Sequence, residues 1–145
     1  MSKRSTGRKL CMQFIYQMEV RNEQSDSPSD PFFETEPYEQ ETINWAKSFS
    51  EAVWAFHNEA DVLIAEYAID WSSDRINPVD KSILRVAFYE LIQTDTPHHV
   101  ILNEAVELAK SFSTDESSGF INGILGKYVK DKGLSANEKD HNDKE

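Results

Sequence analysis

The sequence has little of what most enzyme chemistry and most membrane architecture require. A single cysteine, Cys11, in 145 residues excludes an internal disulfide and the stapled scaffold of a small secreted domain. It stands beside Leu10, Phe14, Ile15 and Met18, so it reads as a small buried hydrophobe, not a nucleophile. With no paired cysteines and no His-Glu-x-x-His run, a zinc site has no ligands, and no metal or cofactor is expected. The glycines, at 7, 119, 123, 126 and 133, form no phosphate-cradling loop. No run approaches the roughly eighteen apolar residues of a membrane span, and no apolar stretch follows the basic N-terminus to make a secretory signal. Alternation of period two is missing, and so is any internal repeat. These absences predict a soluble, cytoplasmic, all-α chain that is not an enzyme.

Two weaker chemical signals have plainer explanations. His98 and His99 are neighbours and would point about 100° apart on a helix, which suits capping or surface roles better than chelation. Glu104 and Glu107 are three apart on a solvated acidic face.

A formal charge of −11 argues against nucleic acid at first, because phosphate affinity comes mostly from Lys and Arg. The charge is segregated, however. Residues 1 to 10 hold Lys3, Arg4, Arg8 and Lys9 with no acid, whereas residues 21 to 42 hold seven acids against Arg21. Segregation leaves a usable basic patch on an acidic chain.

Helical signals fill the rest. Residues 1 to 7 read as a flexible basic arm and about Arg8 to Val20 as a helix with Leu10, Phe14 and Met18 facing inward. On another face lie Lys9, Gln13 and Tyr16: a cation, an amide and an aromatic, which is either an ordinary solvated face or a stripe suited to single-stranded RNA. Residues 22 to 37 have an acidic linker composition. A helix from about Tyr38 to Phe56 and a second to about Trp71 follow, then a turn at Ser72-Ser73-Asp74.

Asn77-Pro78-Val79-Asp80 is a helix start, with a side-chain cap, a proline that loses no bond in the first turn, and an acid at the positive dipole end. Another helix follows Thr96-Pro97. A third starts at Ser113-Thr114-Asp115-Glu116, where Ser113 and Glu116 have capping-box spacing. Gly119 and Gly123 each cost this last helix about 1 kcal/mol against Ala. Either close packing on a neighbouring helix or close approach of a partner must offset that. Residues 131 to 145 read as a disordered tail after a single domain of residues 1 to 130.

VDKSILRVAFYEL, then NEAVELAKSF, then the Ser-rich turn and FINGILGK resemble, in order and spacing, the C-terminal half of the NusB family of bacterial transcription antitermination factors. The resemblance is strong over residues 77 to 130 and moderate over 8 to 18. Between them it rests on scattered positions such as Trp71 and Arg75. It implies a bundle of about six helices in two packed groups. It further implies binding of the boxA element of ribosomal RNA leader transcripts together with NusE, a small-subunit ribosomal protein. Other Nus factors and RNA polymerase would join indirectly, and full-length rRNA synthesis would follow. Carried over by position, the RNA surface comprises Lys3, Arg4, Arg8, Lys9, Gln13, Tyr16, Glu116 and Phe120, and Asp80 faces NusE. Ser5-Thr6-Gly7 interrupts the family's N-terminal cations, and Gly119 replaces a residue that can be basic, so dependence on NusE should be greater here. The alternatives are an RNA-binding appendage of an rRNA methyltransferase, which would need a further nucleotide-binding domain, and a structural dimerisation module. Monomer and homodimer both remain open.

Overall fold

In a computed structural model, which describes residues 2–21, 32–33, 37–68 and 76–134, the chain is all-α. Among the described residues six helices run in the order α1 (Lys3–Arg21), α2 (Gln40–Ala55), α3 (His57–Tyr67), α4 (Pro78–Gln93), α5 (His98–Phe112) and α6 (Asp115–Asp131). Most of the expected acidic linker, the turn with Trp71 and Arg75, and residues 135–145 of the expected tail lie outside the described residues.

Helix α4 is the centre, packed against each of the other five. Its start is as the sequence dictates: the Asn77 side chain accepts from the Asp80 backbone N–H at 2.9 Å, with Pro78 at the first helical position. Ile83, Leu84, Ala87, Phe88 and Leu91 of its apolar face are buried, Val79 is partly buried and Ile92 near its end is exposed. Helices α1 and α2 form one group on it, and α5 and α6 the other. Leu10, Phe14 and Met18 of α1 face the core as expected, and Phe33 closes over Phe14 at 5.8 Å between ring centres.

Three local expectations are corrected. Helix α1 starts at Lys3, not Arg8, because the Ser2 hydroxyl accepts from the Ser5 N–H at 3.0 Å and caps it. Residues 3–7 are therefore helical, not a loose arm, and a Cβ on Gly7 would overlap the six-membered ring of Trp45. Helix α6 is capped by Thr114, whose hydroxyl accepts from the Ser117 N–H at 2.9 Å. Ser113 instead ends α5, its N–H bonded to the Ala109 carbonyl, so the Ser113–Glu116 box does not form. Finally, structure continues past Lys130. Asp131 accepts from the Tyr67 hydroxyl, and Gly133, at φ 68°, turns the chain so that the Leu134 N–H reaches the Val129 carbonyl at 2.9 Å. That is a Schellman closure, and Leu134 packs on the core.

Candidate nucleic-acid and protein interface

The residues expected to meet RNA, with Asp80 expected to face NusE, fall into two groups. At the start of α1, Lys3 is exposed and bonded to Glu41 at 2.8 Å and Glu39 at 3.3 Å. Those hydrogen bonds, Glu41 first, raise its pKa above the ordinary lysine value. Arg4 lies over the Trp45 ring at 4.3 Å, and Lys3, Arg4, Glu41, Thr42 and Trp45 line a recess of about 130 Å³. Lys9 donates to the Tyr38 hydroxyl at 2.6 Å and sits 5.0 Å from its ring centre. Gln13 is half-buried and Tyr16 exposed. These side chains form an accessible cation-and-aromatic strip, and the sequence reading missed two of its members, Tyr38 and Trp45. Only spacing relative to the first helix could have suggested them.

Arg8 is not part of that strip. Its guanidinium is buried and forks onto Glu90 at 2.6 and 2.9 Å, with Glu104 at 3.4 Å. Glu104 also accepts from Ser5 at 2.5 Å. Burial opposes the charge of Arg8, yet the bonds to Glu90 outweigh it and raise the pKa. The expectation that Arg8 meets phosphate is therefore corrected: it clamps the start of α1 to α4 and α5. Arg85, missed from sequence, does the same elsewhere, forking onto Asp61 at 2.7 and 2.8 Å and reaching Glu19 at 2.9 Å. Cys11 is fully buried, and burial pushes its thiol up to about 12, which leaves it inert.

The second group is Asp80, Glu116 and Phe120, which share the wall of one cavity of about 230 Å³ with Ile76, Asn77, Thr114 and Ser117. Asp80 is 4 % exposed, not the surface charge expected. One carboxylate oxygen accepts from the Ser117 hydroxyl at 2.7 Å and the Asn77 amide at 3.1 Å. The other is buried with no partner among the described residues. A buried carboxylate with an open acceptor costs free energy until a donor reaches it. The ion pairs place the two groups relative to each other. Arg8 of α1 meets Glu90 of α4, and Glu19 of α1 meets Lys81 of α4 at 3.2 Å, so these helices are antiparallel. The Lys3–Arg4 end and the Asp80 end are thus separated by the length of α1, roughly 28 Å.

Gly119 and Gly123 settle one of the two readings of their cost. A Cβ at either would meet nothing within 4 Å, so close packing against the described residues of this chain is not what they serve.

Comparison with known proteins gives one answer. The sequence profile of the NusB family matches residues 5–130. The transcription antitermination protein NusB of Alkaliphilus oremlandii is 41% identical over 138 residues, covering 93% of this chain and 99% of that protein. That of Symbiobacterium thermophilum is 37% identical over 136 residues, covering 88% and 89%. Among solved structures, NusB of T. maritima superposes with a TM-score of 0.77 at 29% identity, covering 90% of this chain and 92% of the other. A chain from the crystal structure of antitermination factors NusB and NusE in complex with dsRNA shares the fold, with a TM-score of 0.76 at 23% identity over 90% of this chain and 98% of that one.

Proposed function

The chain belongs to the NusB family, whose members are non-enzymatic transcription antitermination factors, and from that premise we propose that it binds boxA-type single-stranded RNA of ribosomal RNA leader transcripts together with NusE. It acts by assembly. The RNA runs along α1, its phosphates near Lys3, Arg4 and Lys9 and its bases against Tyr16 and the ring of Phe120, with Gln13 and Glu116 hydrogen-bonding base edges or sugars. Asp80 takes a basic side chain of NusE into its cavity. The assembly then joins other Nus factors on cytoplasmic RNA polymerase.

The observation that carries this reading is the pairing of cations with aromatic rings at the start of α1, Arg4 on Trp45 and Lys9 on Tyr38, in a chain that is otherwise acidic. Phosphate neutralisation beside stacking surfaces is what single strands require. The NusB–NusE–dsRNA crystal structure, in which a chain of this fold sits with both kinds of partner, supports it further. Titrating boxA RNA with and without NusE over a range of salt tests it. Tight, salt-dependent binding that NusE strengthens is the expected result. An RNA affinity indistinguishable from that of an unrelated acidic protein, with and without NusE, would overturn the reading.

A further inference from the structure

Helix α1 carries its first cations at the unfavourable end. Lys3 and Arg4 stand where the helix dipole is positive, and no acid shares that turn, so the start that presents them to a ligand is disfavoured by its own composition. What holds it is a chain of hydrogen bonds into α4 and α5. The Ser2 hydroxyl accepts from the Ser5 N–H and donates to the Ser5 hydroxyl, both at 3.0 Å. Ser5 in turn donates to Glu104 Oε1 at 2.5 Å. The same oxygen accepts from Arg8 Nη1 at 3.4 Å, and Arg8 forks onto Glu90. Ser5 and Arg8 are three residues apart and share one side of α1, and Glu104 reaches both from α5.

The sequence places Glu104 beside Glu107 on a solvated acidic face, and the structure separates them. The Glu104 side chain is 21% exposed and that of Glu107 60%. Glu104 also differs from the acids of α2. Glu39 and Glu41 bond the Lys3 ammonium itself and compete with phosphate for it. Glu104 bonds Ser5 and Arg8, which lie outside the strip of Lys3, Arg4 and Lys9.

We infer that Glu104 is a positioning residue for RNA binding: through Ser5 and Arg8 it holds the first two turns of α1 in place, so that Lys3, Arg4 and Lys9 meet the strand already ordered. The inference rests on the proposed RNA surface along α1 and identifies what keeps that surface preformed. A preordered strip spares the complex the entropy of fixing a frayed helix end and its long side chains. The consequence is a sign. Glu104 is an acid close to cations, so by charge alone its removal would tighten RNA binding. As a positioning residue, its removal loosens binding.

The test uses the full chain with NusE and boxA-type RNA, followed by fluorescence anisotropy at a temperature where melting curves show every variant folded. Arg8 keeps its fork on Glu90 in all of them. Glu104→Ala is expected to weaken RNA binding about three- to tenfold, the range for a side chain that must be ordered on association. Glu104→Gln removes the charge, keeps an oxygen for Ser5 and Arg8, and should retain most of the affinity. Ser5→Ala changes no charge and should weaken binding by a similar factor, with little further loss when it is combined with Glu104→Ala. Amide hydrogen exchange at residues 5–8 should quicken in both alanine variants. Glu107→Ala removes an equal charge from the exposed side of α5 and supplies the electrostatic baseline. RNA affinity in Glu104→Ala equal to or tighter than in Glu107→Ala, whatever the melting temperatures, would overturn the inference while leaving the proposed function standing. So would additive losses from Ser5→Ala and Glu104→Ala, because the two would then not act through one bond. No RNA binding by the wild-type complex would remove the proposed function and this inference together.

Discussion

At the scale of single residues, the arginines carry the main lesson. Arg8 sits in a basic run that reads as a phosphate-binding arm, yet its partner Glu90 is 82 positions away and nothing local in the sequence announces that pairing. Lys9, one residue on, donates to the Tyr38 hydroxyl and lies over its ring. The two should therefore separate cleanly on mutation. Arg8→Ala leaves Glu90 buried without its counter-charge and is expected to cost about 3–5 kcal/mol of folding stability, read by urea denaturation. Lys9→Ala should leave stability nearly unchanged and lower the log-log salt slope of RNA binding by up to about 0.7. Equal stability of the two variants would mean that the Arg8 clamp is not formed in solution. Glu19 gives a pH prediction. Burial raises its pKa, but Arg85 and then Lys81 outweigh burial and hold it below the ordinary carboxylate value of 4.5. A folded pKa below the unfolded one means stability that is full above the unfolded value and is lost as pH falls through the folded value. Thermal melts should thus show acid destabilisation below about pH 4.5 that is shallower in Glu19→Gln; identical acid limbs would show that other carboxylates dominate it.

At the scale of elements, helix type and number were legible because the apolar period is local, and the Asn77-Pro78 start was legible because a cap needs only residues three apart. The ends were less so. Ser113 and Thr114 are both competent caps, and the choice fell to Thr114 because α5 uses Ser113 to finish. The start of α1 was hidden because Gly7 reads as a helix breaker until Trp45, 38 positions on, is seen to lie against it. The end of α6 was hidden because its Schellman turn needs only one apolar residue, Leu134. That turn makes a prediction: truncation after Lys130 should lower the melting temperature by several degrees, through loss of the Tyr67–Asp131 bond and the Leu134 contact, the shift expected when about 1 kcal/mol is removed. Truncation after Leu134 retains both contacts and should melt close to the full chain. Coincident melts of all three would show that the turn adds nothing. A second element-level consequence concerns Glu39 and Glu41 at the start of α2. They occupy Lys3 much as phosphate would, so changing both to Gln should tighten RNA binding, most visibly at low salt where the competition is least screened.

At the scale of the whole molecule, a strongly acidic chain reserves one end of α1 for cations and, a helix length away, buries a carboxylate with an unused oxygen. Composition revealed the first through charge segregation. It was silent on the second, since burial of Asp80 depends on Ser117 folding over it from 37 positions away. That burial changes what a partner must do. Were Asp80 an exposed charge, its attraction for a basic partner would fade with salt over a Debye length of about 8–10 Å. Buried in a cavity of about 230 Å³, it can be reached only by a donor that enters and leaves water behind. Asp80→Asn keeps the volume and one acceptor but removes the charge, and it is expected to weaken the NusE complex by about 2–5 kcal/mol. The size of the effect should be nearly the same at low and high salt, and it should appear in the dissociation rate, not the association rate. Calorimetry and stopped-flow kinetics at two ionic strengths decide the matter. A loss that shrinks with added salt, or one confined to association, would return Asp80 to the role of a steering charge and leave its open oxygen without a ligand.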